Sequence, residues 1–195
     1  EINLFTTAHT IDAIRSSRGS TAFGPNDSTM LHLKHLGANG IRFLTALFNL
    51  SVNNADVPAI WRSASVLPVL KPGKAPDQGI SYRPISLLCP EVKVLEKMIL
   101  PSLMSTLVPN HTQHGFRPGR STLTALLPLA TNIARGFNAA KPAARTGLLS
   151  IDLSKAFDTV RRERLLEKLD STNLNGNLKR WLTAYLSDRK ARVTY

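Results

Sequence analysis

The chain of 195 residues holds a single cysteine, Cys89. That excludes an internal disulfide, so nothing points to secretion, and a cysteine-based zinc site has no second thiolate to use. Intracellular residence is the default expectation. Long apolar runs are also missing. The most apolar stretch, residues 41–52, carries Arg42 and has asparagines nearby, which makes it too short and too polar to cross a bilayer. The opening residues EINLFTTAHT have no basic start, no extended apolar segment and no small-residue cleavage site, so they do not read as a signal peptide. An initiator methionine is absent, and the last residues, Arg192-Val-Thr-Tyr195, have strand character with no turn after them. The expectation is a fragment at both ends.

Acids are scarce as well: 13 Asp and Glu against 25 Lys and Arg give a formal charge of +12, with a pI near 10.5. Such an excess sets up a field that draws polyanions, and nucleic acid is the first partner to consider, although ribosomal, histone-like and ordinary basic surfaces give the same number. With 43% hydrophobic residues the chain is too apolar to be disordered. No repeat or low-complexity tract occurs, and Pro and Gly punctuate the sequence into four stretches.

The first stretch reads as mainly helical. Leu31, Leu33 and Leu36 suggest a helix after the turn Gly24-Pro25-Asn26-Asp27, and Ile41, Leu44, Leu47 and Phe48 recur at helical spacing. In the second, apolar runs at 64–70 and 80–88 flank KPGKAPDQG, the pattern of a β-hairpin. Pro68 and Pro84 lack ladder amides, which predicts edge strands or bulges. The third has helical faces at Val92, Leu95, Met98, Ile99 and Leu103 and at Leu123, Leu126, Leu127 and Ala130, with a basic turn-rich loop, 113–122, between them. Pro101 and Pro128 should kink or restart those helices. In the last, residues 147–153 alternate as a strand, sending Leu149, Ile151 and Leu153 to one face and Asp152 to the other. Two amphipathic helices follow, built on Leu165, Leu166 and Leu169 and on Leu178, Trp181, Leu182, Tyr185 and Leu186. The fold class is α+β.

A carboxylate at the end of an apolar strand needs a compensating partner, and Asp152 there suits Mg²⁺, which binds hard oxygens and commonly one or two carboxylates with substrate phosphates. The plainer alternative is that Asp152 or Asp158 caps the helix beginning near Arg161. His32 and His35, or His111 and His114, have no carboxylate or cysteine set to complete a metal site and read as surface histidines. Neither a G-x-S-x-G elbow nor a phosphate loop of the G-x-x-x-x-G-K-[ST] type is present.

The segment LLSIDLSKAFDTV (148–160) resembles the first catalytic motif of reverse transcriptases of the non-LTR (LINE-like) retrotransposon type. The resemblance extends through Trp61, VLPVLKPGK, SYRPISLL, the Lys93–Glu96–Lys97 helix and QHGFRPGRST in that order, covering the chain from about Gly24 onward. It implies the fingers and the beginning of the palm of a right-hand polymerase, with residues 1–60 an N-terminal helical extension, 61–145 fingers and 146–195 the start of the palm. It implies RNA-directed DNA synthesis with an RNA template, a DNA primer, dNTPs and two magnesium ions, and nuclear action. Asp152 would ligate the metals and Leu153 lend its backbone carbonyl. Lys71 and Arg83, with Lys74 able to replace Lys71, would bring charge to the triphosphate, faced also by amides near Lys155 and Ala156; solvated loop lysines are the alternative. Phe157 would be the aromatic gate that excludes a ribose 2′-hydroxyl, or else a core phenylalanine. Asp158 would belong to local hydrogen bonding. Gly24, Pro25, Arg117 and Arg120 would lie along the template, although the usual pattern after Gly-Pro is Asp then Gly, whereas this chain has Asn26 and Asp27. The family's Gly-Pro-Gln-Gly block, paired-aspartate hairpin and thumb are not in these residues, so the chain by itself is expected to lack polymerase activity. A group II intron maturase, an RNA-directed RNA polymerase and a non-catalytic remnant that only binds RNA are the alternatives, with Phe157 arguing against the second.

Overall fold

The computed structural model describes residues 4–107, 109–139, 145–154 and 156–194. The chain forms two compact units: residues 1–106 with 161–195, and residues 107–160. Among the described residues there are seven α-helices and one three-stranded sheet, an α+β composition, and no helix is long and apolar enough to cross a membrane.

In the first unit, helix α1 (Thr7–Arg15) and the short α2 (Met30–Lys34) begin in the same way. The hydroxyls of Thr6 and Thr29 accept the amides of His9 and His32, and each histidine Nδ1 accepts the threonine amide in return. This is a capping box with histidine in the place usually taken by Glu or Gln. Helix α3 (Ala38–Asn54) buries Ile41, Leu44, Phe48 and Val52 and stops at Ala55, which adopts left-handed φ of +52°. Helix α4 (Pro90–Thr106) runs on through Pro101 instead of restarting there, because burial of Val92, Val94, Leu95, Met98 and Ile99 outweighs the one backbone bond a proline removes.

The predicted hairpin is present. Strand β1 (Ser63–Leu70) pairs antiparallel with β2 (Tyr82–Leu87), and β2 lies at an edge. Strand β1 does not: it is the middle strand, with the terminal β3 (Lys190–Val193) parallel on its other side. The prolines are tolerated because Pro68 stands directly opposite Pro84. The bond from the Lys71 amide to the Ser81 carbonyl, 2.8 Å, sets the alternation of the ladder, and three residues further each way the 68/84 pair is one whose amides point outward. On that outer side β3 has already ended, its last pairing being Val193 with Val66.

Helices α6 (Arg162–Asp170) and α7 (Gly176–Leu186) follow the second unit in sequence, and α7 returns to the core of the first. Trp181 is fully buried with Phe48, Val52, Val92 and Leu95. Its indole Nε1 donates to Ser51 Oγ at 2.9 Å, while that hydroxyl donates to the Asp56 carbonyl at 2.6 Å. Tyr185 stacks on Trp181 and donates its hydroxyl to Glu96 of α4 at 2.7 Å, so α3, α4 and α7 are tied by polar as well as apolar contacts.

In the second unit, α5 (Thr122–Phe137) is capped by Ser121 with Thr124 and passes through Pro128 without restarting. None of its residues is buried, and Leu123, Leu126, Leu127 and Phe137 are exposed. The strand expected over 147–153 does not form: these residues carry no strand or helix, and Leu149, Ile151 and Leu153 are exposed. Alternation prepares two faces, but a strand exists only through a paired neighbour, and none of the described residues pairs with this segment.

Candidate functional site

The hairpin carries three cations, Lys71 and Lys74 in its loop and Arg83 in β2. Arg83 is opposite Val69, and Lys71 extends the ladder two residues beyond Val69, so Lys71 and Arg83 share one face at the loop end. The Lys71 ammonium donates to the Ile80 carbonyl at 2.7 Å, which closes the loop 71–81, and Tyr82 adds a second tie to the Pro76 carbonyl at 2.9 Å. Lys74 and Arg83 are exposed, and neither side chain has a hydrogen bond or ion pair among the described residues. Arg83 is therefore the guanidinium of this hairpin that is free to form a two-pronged bond with a phosphate.

The turn at Gly24 and Pro25 is fixed to the start of α4. A Cβ at Gly24 would lie 2.8 Å from the backbone of Leu88 and Cys89, a distance that admits only glycine. Asn26 and Ser28 donate to the two oxygens of Glu91, at 3.0 and 2.9 Å. Beside them Cys89 is buried, and burial first, then the Glu91 charge, pushes its thiol above the ordinary value of 9.0.

The second unit holds the remaining motif residues. Arg117 spends its guanidinium on the carbonyls of Asn110 and Gln113, at 3.0 and 3.4 Å, and shapes its own loop. Arg120 is exposed and has no side-chain hydrogen bond among the described residues, which leaves it the freer cation of the two. His114 is not a bare surface histidine, since its Nδ1 lies 2.9 Å from Thr124 Oγ1. Phe157 is 82% exposed, which rules out a core role in these residues, and its ring meets that of Phe116 edge-on with centroids 6.4 Å apart. Phe116 was not singled out by sequence; its φ of +59°, rare for a bulky side chain, marks it only once the backbone is seen.

Asp152, Leu153, Ala156 and Asp158 are all exposed, and Lys155 lies outside the described residues. Neither aspartate has a hydrogen bond or ion pair among the described residues. The capping alternative is not observed, because the N-cap of α6 is Arg161, with no side-chain cap bond, and among the described residues the local hydrogen bonding expected of Asp158 is not observed either. Among the described residues no three His, Cys, Asp or Glu side chains gather as a metal site. The donors present therefore do not make a two-metal centre: Asp152 offers one carboxylate and Leu153 one carbonyl. Lys71 and Arg83 belong to the first unit, and Arg117, Arg120, Asp152 and Phe157 to the second.

Residues 71–195, well over half of the chain, match the family described as reverse transcriptase (RNA-dependent DNA polymerase). The chain is 31% identical over 94% of its length to a probable RNA-directed DNA polymerase from transposon BS of Drosophila melanogaster. It is 31% identical over 84% of its length to the probable RNA-directed DNA polymerase from transposon X-element of the same fly. With the RNA-directed DNA polymerase from mobile element jockey, also of D. melanogaster, identity is 33% over 70% of the chain. These stretches amount to 20%, 18% and 15% of the relatives, so the chain spans a fifth or less of the length of the curated proteins it matches. The chain belongs to the reverse transcriptase (RNA-dependent DNA polymerase) family, of the non-LTR retrotransposon type that its ordered motifs resemble.

Proposed function

We propose that these residues form the fingers and the start of the palm of a transposon-borne RNA-directed DNA polymerase, whose whole protein extends a DNA primer with dNTPs on an RNA template in the nucleus. The observation that carries this reading is the hairpin: its loop and second strand lie inside the family match, and it sets Lys71 and Arg83 on one face at the loop end, where two cations can meet a triphosphate.

Arg83, with no bond among the described residues, makes the first contact, while Lys71 keeps one of its three N–H donors on the Ile80 carbonyl and has the others for a phosphate. Phe157 supplies the ring against which the sugar is measured, Gly24 and Pro25 keep the template turn close to α4, and Arg120 supplies template charge, with Arg117 holding the loop that carries it. Asp152 with the Leu153 carbonyl contributes one part of a magnesium site whose other carboxylates are not among the described residues. In isolation the chain binds but does not polymerise.

Incubating the 195-residue chain with primer, template, dNTPs and Mg²⁺ is expected to give no incorporation. Measured incorporation would overturn that part of the proposal. In a longer polypeptide carrying the family's remaining blocks, Asp152→Asn is expected to lower incorporation by on the order of 10³-fold or more, and an unchanged rate would remove Asp152 from the metal site. A second reading, a non-catalytic product that only binds RNA, draws on the formal charge of +12; it requires salt-sensitive RNA binding and no synthesis even by the longer polypeptide.

A further inference from the structure

A concavity of about 290 Å³ lies between the segment that follows α1 and the outer face of α4, lined among others by Arg18, Ser20, Met30, Leu88, Lys93 and Lys97. Lys93 and Lys97 are four residues apart on one helix, so their ammonium groups share a face and repel each other unless an anion lies between them. The acids that could neutralise them are committed elsewhere. Glu91 holds Asn26 and Ser28, and Glu96 accepts from Tyr185. Asp12 borders the neighbouring concavity, which Lys97 also touches, and forms no ion pair with it. Among the described residues the salt bridges are Arg62 with Asp188 and Arg164 with Glu167, so Arg18, Lys93 and Lys97 all face this concavity without a counter-ion.

A hydroxyl completes the set. Ser16 and Ser17 spend their protons on the carbonyls of Asp12 and Ala13, but Ser20 Oγ accepts the Ala22 amide at 3.1 Å and keeps its own proton to donate. Met30 and Leu88 supply an apolar floor, which excludes water and strengthens charge pairing above it. The volume falls at the lower limit of small-molecule pockets, which suits one charged group better than a whole nucleotide.

We propose that this concavity is a phosphate-binding site, formed by Arg18, Lys93, Lys97 and the Ser20 hydroxyl, and that its occupant is a phosphodiester of bound RNA. The choice of RNA rests on the polymerase reading above; the affinity for a phosphate group does not.

The test uses the 195-residue chain, a labelled single-stranded RNA, and inorganic phosphate as the small probe. Two phosphate contacts on a single strand contribute about 1.4 to the slope of log K against log salt, so Lys93→Met with Lys97→Met should flatten the slope by that amount. At fixed salt the double variant should bind roughly tenfold more weakly. Lys93→Arg with Lys97→Arg should keep both values, and Lys168→Met, an exposed lysine on α6, should leave the slope closer to the parent's. Unchanged thermal melting shows that the variants still fold. In amide spectra of the parent chain, RNA should move Ser20, Ala22 and Lys93. Movement of the same amides by phosphate together with an unchanged RNA slope assigns the site to free phosphate and overturns the RNA occupant. If phosphate moves them and the chain binds no RNA at all, the RNA reading falls and the anion site stands. An unchanged slope in the double Met variant, with no amide movement by phosphate, overturns the site while RNA binding by the parent leaves the polymerase reading intact.

Discussion

Asn26 Nδ2 donates to Glu91 Oε2 at 3.0 Å, across 65 positions of sequence, and this bond accounts for a departure from the family's pattern. The usual residue after Gly-Pro is Asp, which here would set two carboxylates against each other. Asn26→Asp is therefore expected to lower stability by roughly 1 kcal/mol in chemical denaturation, through loss of a donor to a charged acceptor and added repulsion. Combining it with Glu91→Gln should restore most of the loss; a single variant as stable as the parent would show that the turn is held by other means. The next departure has a backbone origin. Asp27 sits at φ +55°, where the family's glycine would be at ease, so Asp27→Gly should be neutral or mildly stabilising.

Alkaline stability follows from two buried groups. Burial, with the Glu91 charge second, raises the Cys89 thiol above 9.0, and burial, followed by the charge and hydrogen bond of Glu96, raises the Tyr185 phenol well above 10.0. Both hold their protons in the folded chain at pH values where the unfolded chain releases them. Their contribution to stability is complete below the unfolded values and shrinks as pH rises past 9.0 and then 10.0. Urea unfolding from about pH 8 to about pH 11 should show a steady decline. Tyr185→Phe should cost about 1 kcal/mol near neutrality, where the bond to Glu96 is lost, and should flatten the decline above about pH 10. A slope equal to the parent's would remove Tyr185 as its source.

Helices that bury a periodic face were legible: Ile41, Leu44 and Phe48 and then Val92, Leu95 and Ile99 specify α3 and α4 because spacing and burial agree. The hairpin was legible for a similar reason, its apolar runs being separated by a loop rich in Pro and Gly. What sequence could not supply was partnership at a distance. Nothing near Lys190–Val193 names β1 as its neighbour, and nothing near Asn26 names Glu91. The histidine capping boxes of α1 and α2 were hidden because the familiar signal at that position is Glu or Gln. At the candidate site, residue types and their order carried the family, whereas the closure of Lys71 onto Ile80 and the commitment of Arg117 to its own loop are visible only in coordinates.

The clearest divergence lies at residues 147–153, and it carries the last prediction. Leu149, Ile151 and Leu153 are 83%, 79% and 73% exposed, on backbone with no ladder partner among the described residues. Unpaired amides in contact with water have no protection from opening equilibria, so hydrogen exchange over 148–153 in the isolated chain should approach the rate of an unfolded peptide. The amides of α3 and α4, beneath fully buried Phe48, Val92 and Leu95, should be protected to near the global stability. Slow exchange over 148–153 in the isolated chain would mean that the segment has a partner in solution. In a longer polypeptide that includes the family's paired-aspartate hairpin, the same amides should become protected as the apolar side chains find a sheet to enter. If they stay exposed there, the alternation of LLSIDL does not encode a palm strand, and Asp152 loses the position from which it would meet a metal ion.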